Sequence, residues 1–343
     1  MLTYLITYIS IFIVSLLEVI KKEKGKLTFA FFFIVLVLLA GLRGNQGIDT
    51  PNYLQFFKDV NTNKASLHNL ELGFLYFSSI IKTIFNDKVF YFLIIATMSI
   101  GLKMNAIWKI SPLPLFSSAI LFGTYFLALE TNQIRQGIAL GFCFLALVYR
   151  IKDKKKNFFI AVFIASCFHV SAIVFSLAWI LKRKINPKML FSLVLFSLLF
   201  VFISMEVFIK QTIVLYFFWN DFIFEKLINY ASKMNQVGFS PIHIWYLFIS
   251  IFLLYYSKFI KHKVFNLLLN IFIMGVIFNF FLNSFSYMLR ITYYFLAVEG
   301  LLIGMVLYHS KHLTNRLVLW SFVLLLTLFK NYSYLLDNIK VYE

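Results

Sequence analysis

The stretch Arg43-Gly44-Asn45-Gln46-Gly47-Ile48-Asp49-Thr50-Pro51-Asn52-Tyr53 follows directly on the apolar run Leu27–Leu42. Such a run approaches the roughly 20 residues that a helix needs to cross a bilayer. It is too long, and too apolar on all sides, for a barrel strand. The two segments together predict a membrane helix that ends in a polar, glycine-rich turn, and similar apolar blocks recur along the chain.

The composition places the whole chain in the membrane. Hydrophobic residues make up 61% of it and charged residues only 13%, whereas a soluble domain carries about 25% charged residues. We predict an all-α, polytopic helical membrane protein: one integral membrane domain over residues 1–343, with about 10–12 transmembrane segments. The clearest spans are about 2–20, 27–42, 88–108, 114–130, 137–150, 189–209, 242–260, 264–285, 288–309 and 316–330.

The net charge of +18 is concentrated in short basic runs between the apolar blocks. These runs are 21–26, 152–156, 258–263 and 311–316. Runs of this kind mark loops that stay in the cytoplasm. No basic groove alternates with aromatic residues outside the predicted spans, as a single-strand binder would need, so nucleic acid is not expected as a partner.

Two apolar segments leave the topology open. Leu72–Phe85 is short and holds Lys82, and Phe158–Leu181 has basic residues at both ends. In the favoured topology the first segment lies at the outer surface or re-enters the membrane. The second is then a re-entrant hairpin of two half-helices with His169 at its tip, and every strongly basic loop is cytoplasmic. The loops that fall outside are 43–71, 130–136, 210–241 and 285–290.

The alternative topology has about twelve ordinary spans. It places Arg135 on the opposite face from Arg43 and Arg290, and it leaves the lysines of 152–156 outside. The N-terminus is outside in both topologies. The longest extracytoplasmic loops are about 43–71 and 210–241, of which the second resembles an amphipathic helix on the membrane surface.

The turn after the second span suits an anion. Arg43 is either an arginine that snorkels to the interface or a ligand for a phosphate. Glycines at 41, 44 and 47 favour the second interpretation, because glycine lets backbone N–H groups approach an anion. Asp49-Thr50-Pro51 predicts a helix start, which also suits a phosphate or diphosphate. Asp49 is either a plain N-cap or the group that binds or deprotonates a sugar hydroxyl.

A second polar break, Thr131–Gly137, holds Arg135 and Gln136. It is either a turn with a helix start or a second cationic clamp with amide donors beside it. His169 lies in the middle of an apolar segment, where ionisable residues tend to be functional. An imidazole there can serve as a general base or as a diphosphate ligand.

Three further residues lie near predicted outer span ends. Glu71 precedes an apolar block, where it either caps a helix or pairs with the helix dipole, or else holds a sugar. Arg290 is the third arginine of the set, and Tyr293 beside it either stacks on a sugar or belongs to the aromatic belt. The histidines are scattered and no carboxylates are paired, so no metal site is predicted. Three arginines can neutralise a leaving diphosphate instead.

Five pieces in series resemble the EpsG family of exopolysaccharide proteins, within the broader group of Wzy-type O-antigen and capsule polymerases. They are Gly41-Leu42-Arg43-Gly44 with Gly47-Ile48-Asp49-Thr50 and Tyr53; Glu71-Leu72-Gly73-Phe74; Ile134-Arg135-Gln136-Gly137-Ile138-Ala139; Phe168-His169-Val170-Ser171-Ala172; and Arg290-Ile291-Thr292-Tyr293-Tyr294-Phe295. The resemblance runs from about residue 27 to about residue 310. It departs at Leu72, where a residue such as Pro is expected.

The resemblance implies a polymerase on the outer face of the inner membrane. Such enzymes transfer a growing glycan from undecaprenyl diphosphate to a new lipid-linked repeat unit and release undecaprenyl diphosphate, with no cofactor. Arg43, Arg135 and Arg290 are then expected to bind the diphosphate, and Asp49 or His169 to activate the acceptor hydroxyl. Residues expected to bind or support the sugars are Tyr53, Glu71, Gln136 and Tyr293.

The expected partners are lipid-linked oligosaccharides and membrane lipids, and binding of a chain-length regulator protein is left open. A flippase for the same lipid-linked glycans is the main competing interpretation, because it also needs buried arginines. An O-antigen ligase and a membrane O-acyltransferase that uses His169 are further alternatives.

Overall fold

The computed structural model describes residues 2–63, 70–183, 186–202, 238–283 and 289–337. Across these ranges the regular structure is helical and no strand occurs, so the predicted all-α polytopic fold is confirmed. In chain order the α-helices are α1 (Leu2–Lys21), α2 (Lys26–Gly41), α3 (Thr50–Asp59), α4 (Leu72–Phe85), α5 (Lys88–Ile110), α6 (Pro114–Phe126), α7 (Ile134–Ile151), α8 (Lys155–Phe168), α9 (Pro187–Leu198), α10 (Pro241–Tyr256), α11 (Lys263–Phe281), α12 (Leu289–Leu296), α13 (Glu299–His309) and α14 (Leu313–Asp337).

Three other helical segments interrupt this series. A π-helical segment, Leu127–Asn132, continues α6, and 3₁₀ helices follow α8 and α9 at Val170–Trp179 and Leu199–Phe202. In the described ranges, six helical segments are long and apolar enough to cross a bilayer. They are Leu2–Lys21, Lys88–Ile110, Pro114–Asn132, Ile134–Ile151, Lys263–Phe281 and Leu289–His309. Shorter apolar helices are Lys26–Gly41, Leu72–Phe85, Val170–Trp179, Pro187–Phe202, Pro241–Tyr256 and Leu313–Phe329.

The chain divides into two compact units. The first comprises Met1–Ile180 and Glu299–Glu343, and the second comprises Leu181–Val298. The prediction of a single integral membrane domain over 1–343 is not decided by this division and stays a prediction.

Helix α1 shows why the first unit belongs in lipid. Its inner face is aromatic: Tyr8 stacks on Phe122 with ring centroids 6.1 Å apart. Its outer face is also apolar, with Ile6, Ile13 and Leu17 each more than half exposed. A helix that is hydrophobic on all sides, with its outer side uncovered, is stable against lipid and not against water.

The ambiguous segment Phe158–Leu181 folds as the predicted hairpin. Helix α8 ends at His169, whose backbone is extended (φ −155°, ψ 112°), and the 3₁₀ helix returns along it. The rings of Phe158 and Trp179 lie 5.3 Å apart, whereas a straight helix would separate these residues by about 31 Å. The arms are about 21 Å and 20 Å long, too short to cross a hydrocarbon core of about 30 Å. Its insertion into the membrane remains a prediction.

The base of this hairpin lies at the far end of α7. Arg150 donates a hydrogen bond from Nε to the carbonyl oxygen of Ala178 (3.3 Å) and stacks on the Trp179 ring at 4.8 Å. The loop that begins at Lys152 therefore lies beside the hairpin base and not beside its tip. This arrangement fits the favoured topology, in which 152–156 and the hairpin tip lie on opposite sides.

The second unit contains α9 to α12. Its helix α11 packs on α12 through Phe278 and Phe295, whose ring centroids are 5.4 Å apart. Ser240 and His243 form a reciprocal capping box at the start of α10, which fixes where that helix begins. Residues 203–209 of the predicted 189–209 span and most of the predicted surface helix at 210–241 lie outside the described residues.

Candidate functional site

Arg43 is the first residue of the site, and it is buried. Only 5% of its surface is exposed, so it does not snorkel to the interface. Its Nη1 donates to the Glu130 carbonyl oxygen at 2.6 Å, and its guanidinium lies 4.0 Å from the centre of the Phe92 ring. Burial lowers the pKa of Arg43 to about 10, which still leaves it charged near neutral pH. Its Nε and Nη2 have no hydrogen-bond partner among the described residues.

The turn after Arg43 packs against the second polar break. Gly47 has φ +107°, and a Cβ atom there would lie 2.4 Å from the carbonyl oxygen of Thr131. The backbone N–H of Ile48 donates to Oδ1 of Asn132 at 2.6 Å. Two segments 84 residues apart therefore form one structure. Gly47 is needed because any side chain would prevent this close approach. The sequence pattern alone did not show this reason for the glycine.

The π-helical segment supplies the acceptor for Arg43. This segment, which includes Glu130, has the i→i+5 hydrogen bonds of a π-helix in place of the i→i+4 bonds of an α-helix. π-Helical turns of this kind are frequent at functional sites. The Glu130 side chain forms a buried salt bridge with Lys103, and Lys103 also donates to Oγ of Ser99 at 2.8 Å. The sequence interpretation missed Lys103, although a lysine within the span 88–108 is itself a signal.

Glu71 joins two predicted site residues. Its side chain does not cap α4, so the capping interpretation is wrong. Oε1 lies 3.0 Å from Nδ1 of His169, and Oε2 forms a salt bridge with Nη1 of Arg135. These three residues, here called the Glu71 cluster, bring together the starts of α4 and α7 and the tip of the hairpin. The alternative with about twelve ordinary spans is therefore contradicted.

The ionisation of the Glu71 cluster is set by its internal contacts. Burial raises the pKa of Glu71, but the hydrogen bond with His169 and the charge of Arg135 outweigh burial and lower that pKa to about 2. Glu71 is therefore a carboxylate throughout the physiological pH range. A fixed anion between an imidazole and a guanidinium can orient the first and hold the second in place.

Tyr53 interacts with Arg135 of the Glu71 cluster and, electrostatically, with Arg43. It is 7% exposed and packs edge-on against Phe74 at 5.9 Å. Burial raises the pKa of the Tyr53 hydroxyl, whereas the charge of Arg135 and a hydrogen bond with it act in the opposite direction. The charge of Asp49 also raises that pKa, and Arg43 lowers it. Both arginines and Asp49 are thus within electrostatic reach of one phenol.

Asp49 and Gln136 are two further predicted site residues. Asp49 occupies the N-cap position of α3, but its side chain makes no capping hydrogen bond, so the plain N-cap interpretation is wrong. Gln136 follows Arg135 in the first turn of α7 and is 2% exposed. Both residues belong to the first unit, and their roles in the site stay predictions.

Arg290 and Tyr293 belong to the second unit. They lie on α12 three residues apart, hence on the same helix face, and both are half-buried. The three-arginine clamp of Arg43, Arg135 and Arg290 stays a prediction. Among the described residues, no group of three or more His, Cys, Asp or Glu side chains could hold a metal ion.

Comparison with known proteins identifies the family of the chain. The model of the EpsG family matches residues 26–343. A similar protein is the amylovoran biosynthesis protein AmsC of Erwinia amylovora, 25% identical over 153 residues, which are 41% of this chain and 41% of that protein. The chain thus spans about two-fifths of the length of this curated relative. No solved structure matches. The chain belongs to the EpsG family, as the five motifs predicted.

Proposed function

We propose that this EpsG-family protein polymerises lipid-linked oligosaccharide repeat units at the outer face of the bacterial inner (plasma) membrane. The growing glycan passes from undecaprenyl diphosphate to a new lipid-linked repeat unit, and undecaprenyl diphosphate is released. The observation that carries the proposal is the Glu71 cluster, where one carboxylate contacts both an imidazole and a guanidinium. Family membership and the exopolysaccharide relative support the same class of reaction.

His169 is the proposed general base. Its Nδ1 faces Glu71, so Nδ1–H donates to the carboxylate and the lone pair remains on Nε2. Nε2 takes the proton of the acceptor hydroxyl while the hydroxyl oxygen attacks the anomeric carbon of the growing glycan. Glu71 stabilises the resulting imidazolium. A positioned base of this kind accelerates a reaction by about 10²–10⁴-fold.

The arginines stabilise the leaving group. As the new glycosidic bond forms, the bond between the anomeric carbon and the diphosphate oxygen breaks, and both electrons leave with the diphosphate. Arg43, Arg135 and Arg290 offset that negative charge through charge-assisted hydrogen bonds. The scheme therefore needs no metal and no other cofactor. It is wrong if Arg43→Gln, Arg135→Gln and Arg290→Gln variants all reach the membrane and all keep full activity.

Polar and aromatic groups of both units are candidates for contact with the sugars. Tyr53, Gln136 and Tyr293 are proposed to contact or support the sugars, by stacking or hydrogen bonding. Asp49 is the competing candidate for the general base, because it lies near Tyr53 and has no capping role. A chain-length regulator protein as a partner stays a prediction.

Glycan ladders test the proposal. Cells that lack the gene are complemented with wild type, His169→Gln, Asp49→Asn or the exposed control His312→Gln, and membrane levels are matched. We expect a single repeat unit on the lipid with His169→Gln and a full ladder with His312→Gln. A full ladder with His169→Gln and none with Asp49→Asn would assign the base to Asp49.

The deletion strain itself separates the classes of protein. A polymerase defect leaves one repeat unit on the lipid carrier. Accumulation of full-length lipid-linked glycan, with none at the surface, would identify a ligase. Single lipid-linked units that stay at the cytoplasmic face would identify a flippase, and either outcome would overturn the polymerase proposal.

A further inference from the structure

Helices α1 and α2 enclose a cleft of about 430 Å³. This volume falls within the roughly 300–1,000 Å³ of ligand pockets. The cleft lies where α1 begins and α2 ends, at the same end of α2 as the candidate site. Its lining residues are Thr3, Tyr4, Thr7, Val35, Leu38, Leu39, Leu42, Arg43 and Gln46.

One wall of the cleft is a continuous apolar stripe. The aliphatic residues at 35, 38, 39 and 42 of this wall follow the spacing i, i+3, i+4, i+7, which places them on one helix face. The stripe is about 10 Å long. Leu38 and Leu42 are 44% and 56% exposed, so the cleft opens sideways, in the direction in which lipid surrounds a membrane helix.

The end of the stripe is cationic. Arg43 is 5% exposed, and its Nε and Nη2 lack hydrogen-bond partners among the described residues. Leaving buried donors of a charged group unsatisfied is unfavourable, and an anion beside them would offset that cost. Gln46, which lines the same end, adds an amide donor. An apolar groove that ends in a buried cation is complementary to a lipid with a phosphorylated head.

We infer that this cleft binds the lipid carrier of the substrate: the first isoprenoid units lie along α2 and the diphosphate lies at Arg43. The inference rests on the proposed function, and it adds the path of the hydrocarbon chain. The ligand is a polyprenyl diphosphate and not a bilayer phospholipid, because a diphosphate presents more acceptor oxygens and more charge to a guanidinium. Helix α1 forms the second wall and precedes the part of the chain that matches the family, residues 26–343.

Photoaffinity labelling tests the cleft. The full-length protein in lipid nanodiscs is exposed to a polyprenyl diphosphate that carries a diazirine near the head, and labelled peptides are mapped. A phosphatidylglycerol with the same diazirine is the parallel probe. We expect the polyprenyl probe to label α1 and the end of α2, with competition by unlabelled polyprenyl diphosphate and not by phosphatidylglycerol.

Substitutions on one helix give matched controls. Leu39→Trp fills the cleft and should reduce this labelling about tenfold, equivalent to a loss of 1.4 kcal/mol in binding. Ile34→Trp places the same side chain on an exposed part of α2 outside the cleft and should leave labelling unchanged. Leu39→Ala, which opens the cleft, should retain labelling and shows that residue 39 tolerates substitution.

The outcomes separate the cleft from the polymerase activity. The cleft assignment is wrong if Leu39→Trp does not reduce labelling by the polyprenyl probe. It is also wrong if the phosphatidylglycerol probe labels the same peptides equally well. Either result holds even if the deletion strain loses its ladder. A further result is specific labelling of the cleft while the deletion strain keeps its full glycan ladder. That result would support the cleft assignment and overturn the polymerase proposal.

Discussion

Glu71→Gln is the substitution that most directly tests the proposed chemistry. Gln is nearly isosteric with Glu but has no charge, so it cannot stabilise an imidazolium on His169 or neutralise Arg135. Its amide N–H can also donate to Nδ1, which would move the proton of the imidazole to Nε2. The general base would then present a proton where it needs a lone pair. We expect polymerisation to fall by about 10²–10⁴-fold.

The stability cost of Glu71→Gln follows from the exposure of its partners. Breaking a fully buried ion pair costs about 3–5 kcal/mol. The side chains of Arg135 and Glu71 are 26% and 17% exposed, so water partly solvates the remaining arginine. We expect a loss of about 1–3 kcal/mol in the free energy of unfolding. Such a loss can lower the amount of protein in cells, so the rate is measured on purified protein in nanodiscs.

A double substitution distinguishes positioning from general destabilisation. If Glu71 acts through His169, the combined Glu71→Gln and His169→Gln variant should be no slower than His169→Gln alone, because residues that act as a unit have non-additive effects. Multiplicative losses in the double variant would contradict the proposed coupling. Retention of wild-type rate in Glu71→Gln, within about twofold, would refute the role of the cluster.

The Glu71 carboxylate also predicts that the free energy of unfolding decreases at acid pH. The pKa of Glu71 is lowered from 4.5 to about 2, so its contribution is present above about pH 4.5 and is lost as the pH falls towards 2. Glu71→Gln should remove this part of the pH dependence. Unfolding of the detergent-solubilised protein between these pH values provides the measurement, and identical acid profiles for wild type and variant would contradict the assigned pKa.

Three other predictions concern the framework of the site. Arg43→Lys should reduce polymerisation about 10–100-fold at matched membrane levels. A lysine ammonium cannot both donate to the Glu130 carbonyl and stack on the Phe92 ring, as the planar guanidinium does. An unchanged ladder would contradict this prediction. Lys103→Met should destabilise the protein by about 3–5 kcal/mol in a thermal-unfolding assay, since it leaves a buried carboxylate, and Glu130→Leu in the same chain should restore most of the loss. Gly47→Ala should cost about 1–3 kcal/mol and more than Gly44→Ala, whose added Cβ would meet no atom within 4 Å; equal melting temperatures would refute the packing argument.

Much of the fold could be predicted from the sequence, because backbone groups in lipid must form internal hydrogen bonds and few structures satisfy this requirement. The blocks that predicted spans 2–20, 88–108 and 264–285 match α1, α5 and α11 within a few residues. The hairpin of α8 was also predictable, because basic residues at both of its ends made a single crossing conflict with the charge rule. The ends of these helices differ from the predicted ends by up to four residues, because caps and not hydropathy decide where a helix ends.

The contacts of the site were less predictable than its members. Arg135 and Glu71 stood out as charged residues at apolar boundaries, and His169 stood out in the middle of an apolar segment. The local pattern could not show that Glu71 links the other two. That contact joins residues 64 and 98 positions apart. Lys103 was missed because a single lysine barely changes the mean hydropathy of its span. Pairing across such distances depends on tertiary packing, which one sequence does not encode locally.

The buried pair of Lys103 and Glu130 has a consequence for how this protein enters the membrane. Each charge, alone in a helix surrounded by lipid, costs about 2.5–3.5 kcal/mol to insert. The two residues lie in successive apolar segments, α5 and the π-helical continuation of α6. We therefore expect these segments to leave the translocon together as a preassembled pair. Arg43, in the turn after α2, is synthesised earlier, so its hydrogen bond to the Glu130 carbonyl forms only after the π-helical segment has been synthesised. The site is complete only when α7 and the hairpin have added Arg135 and His169.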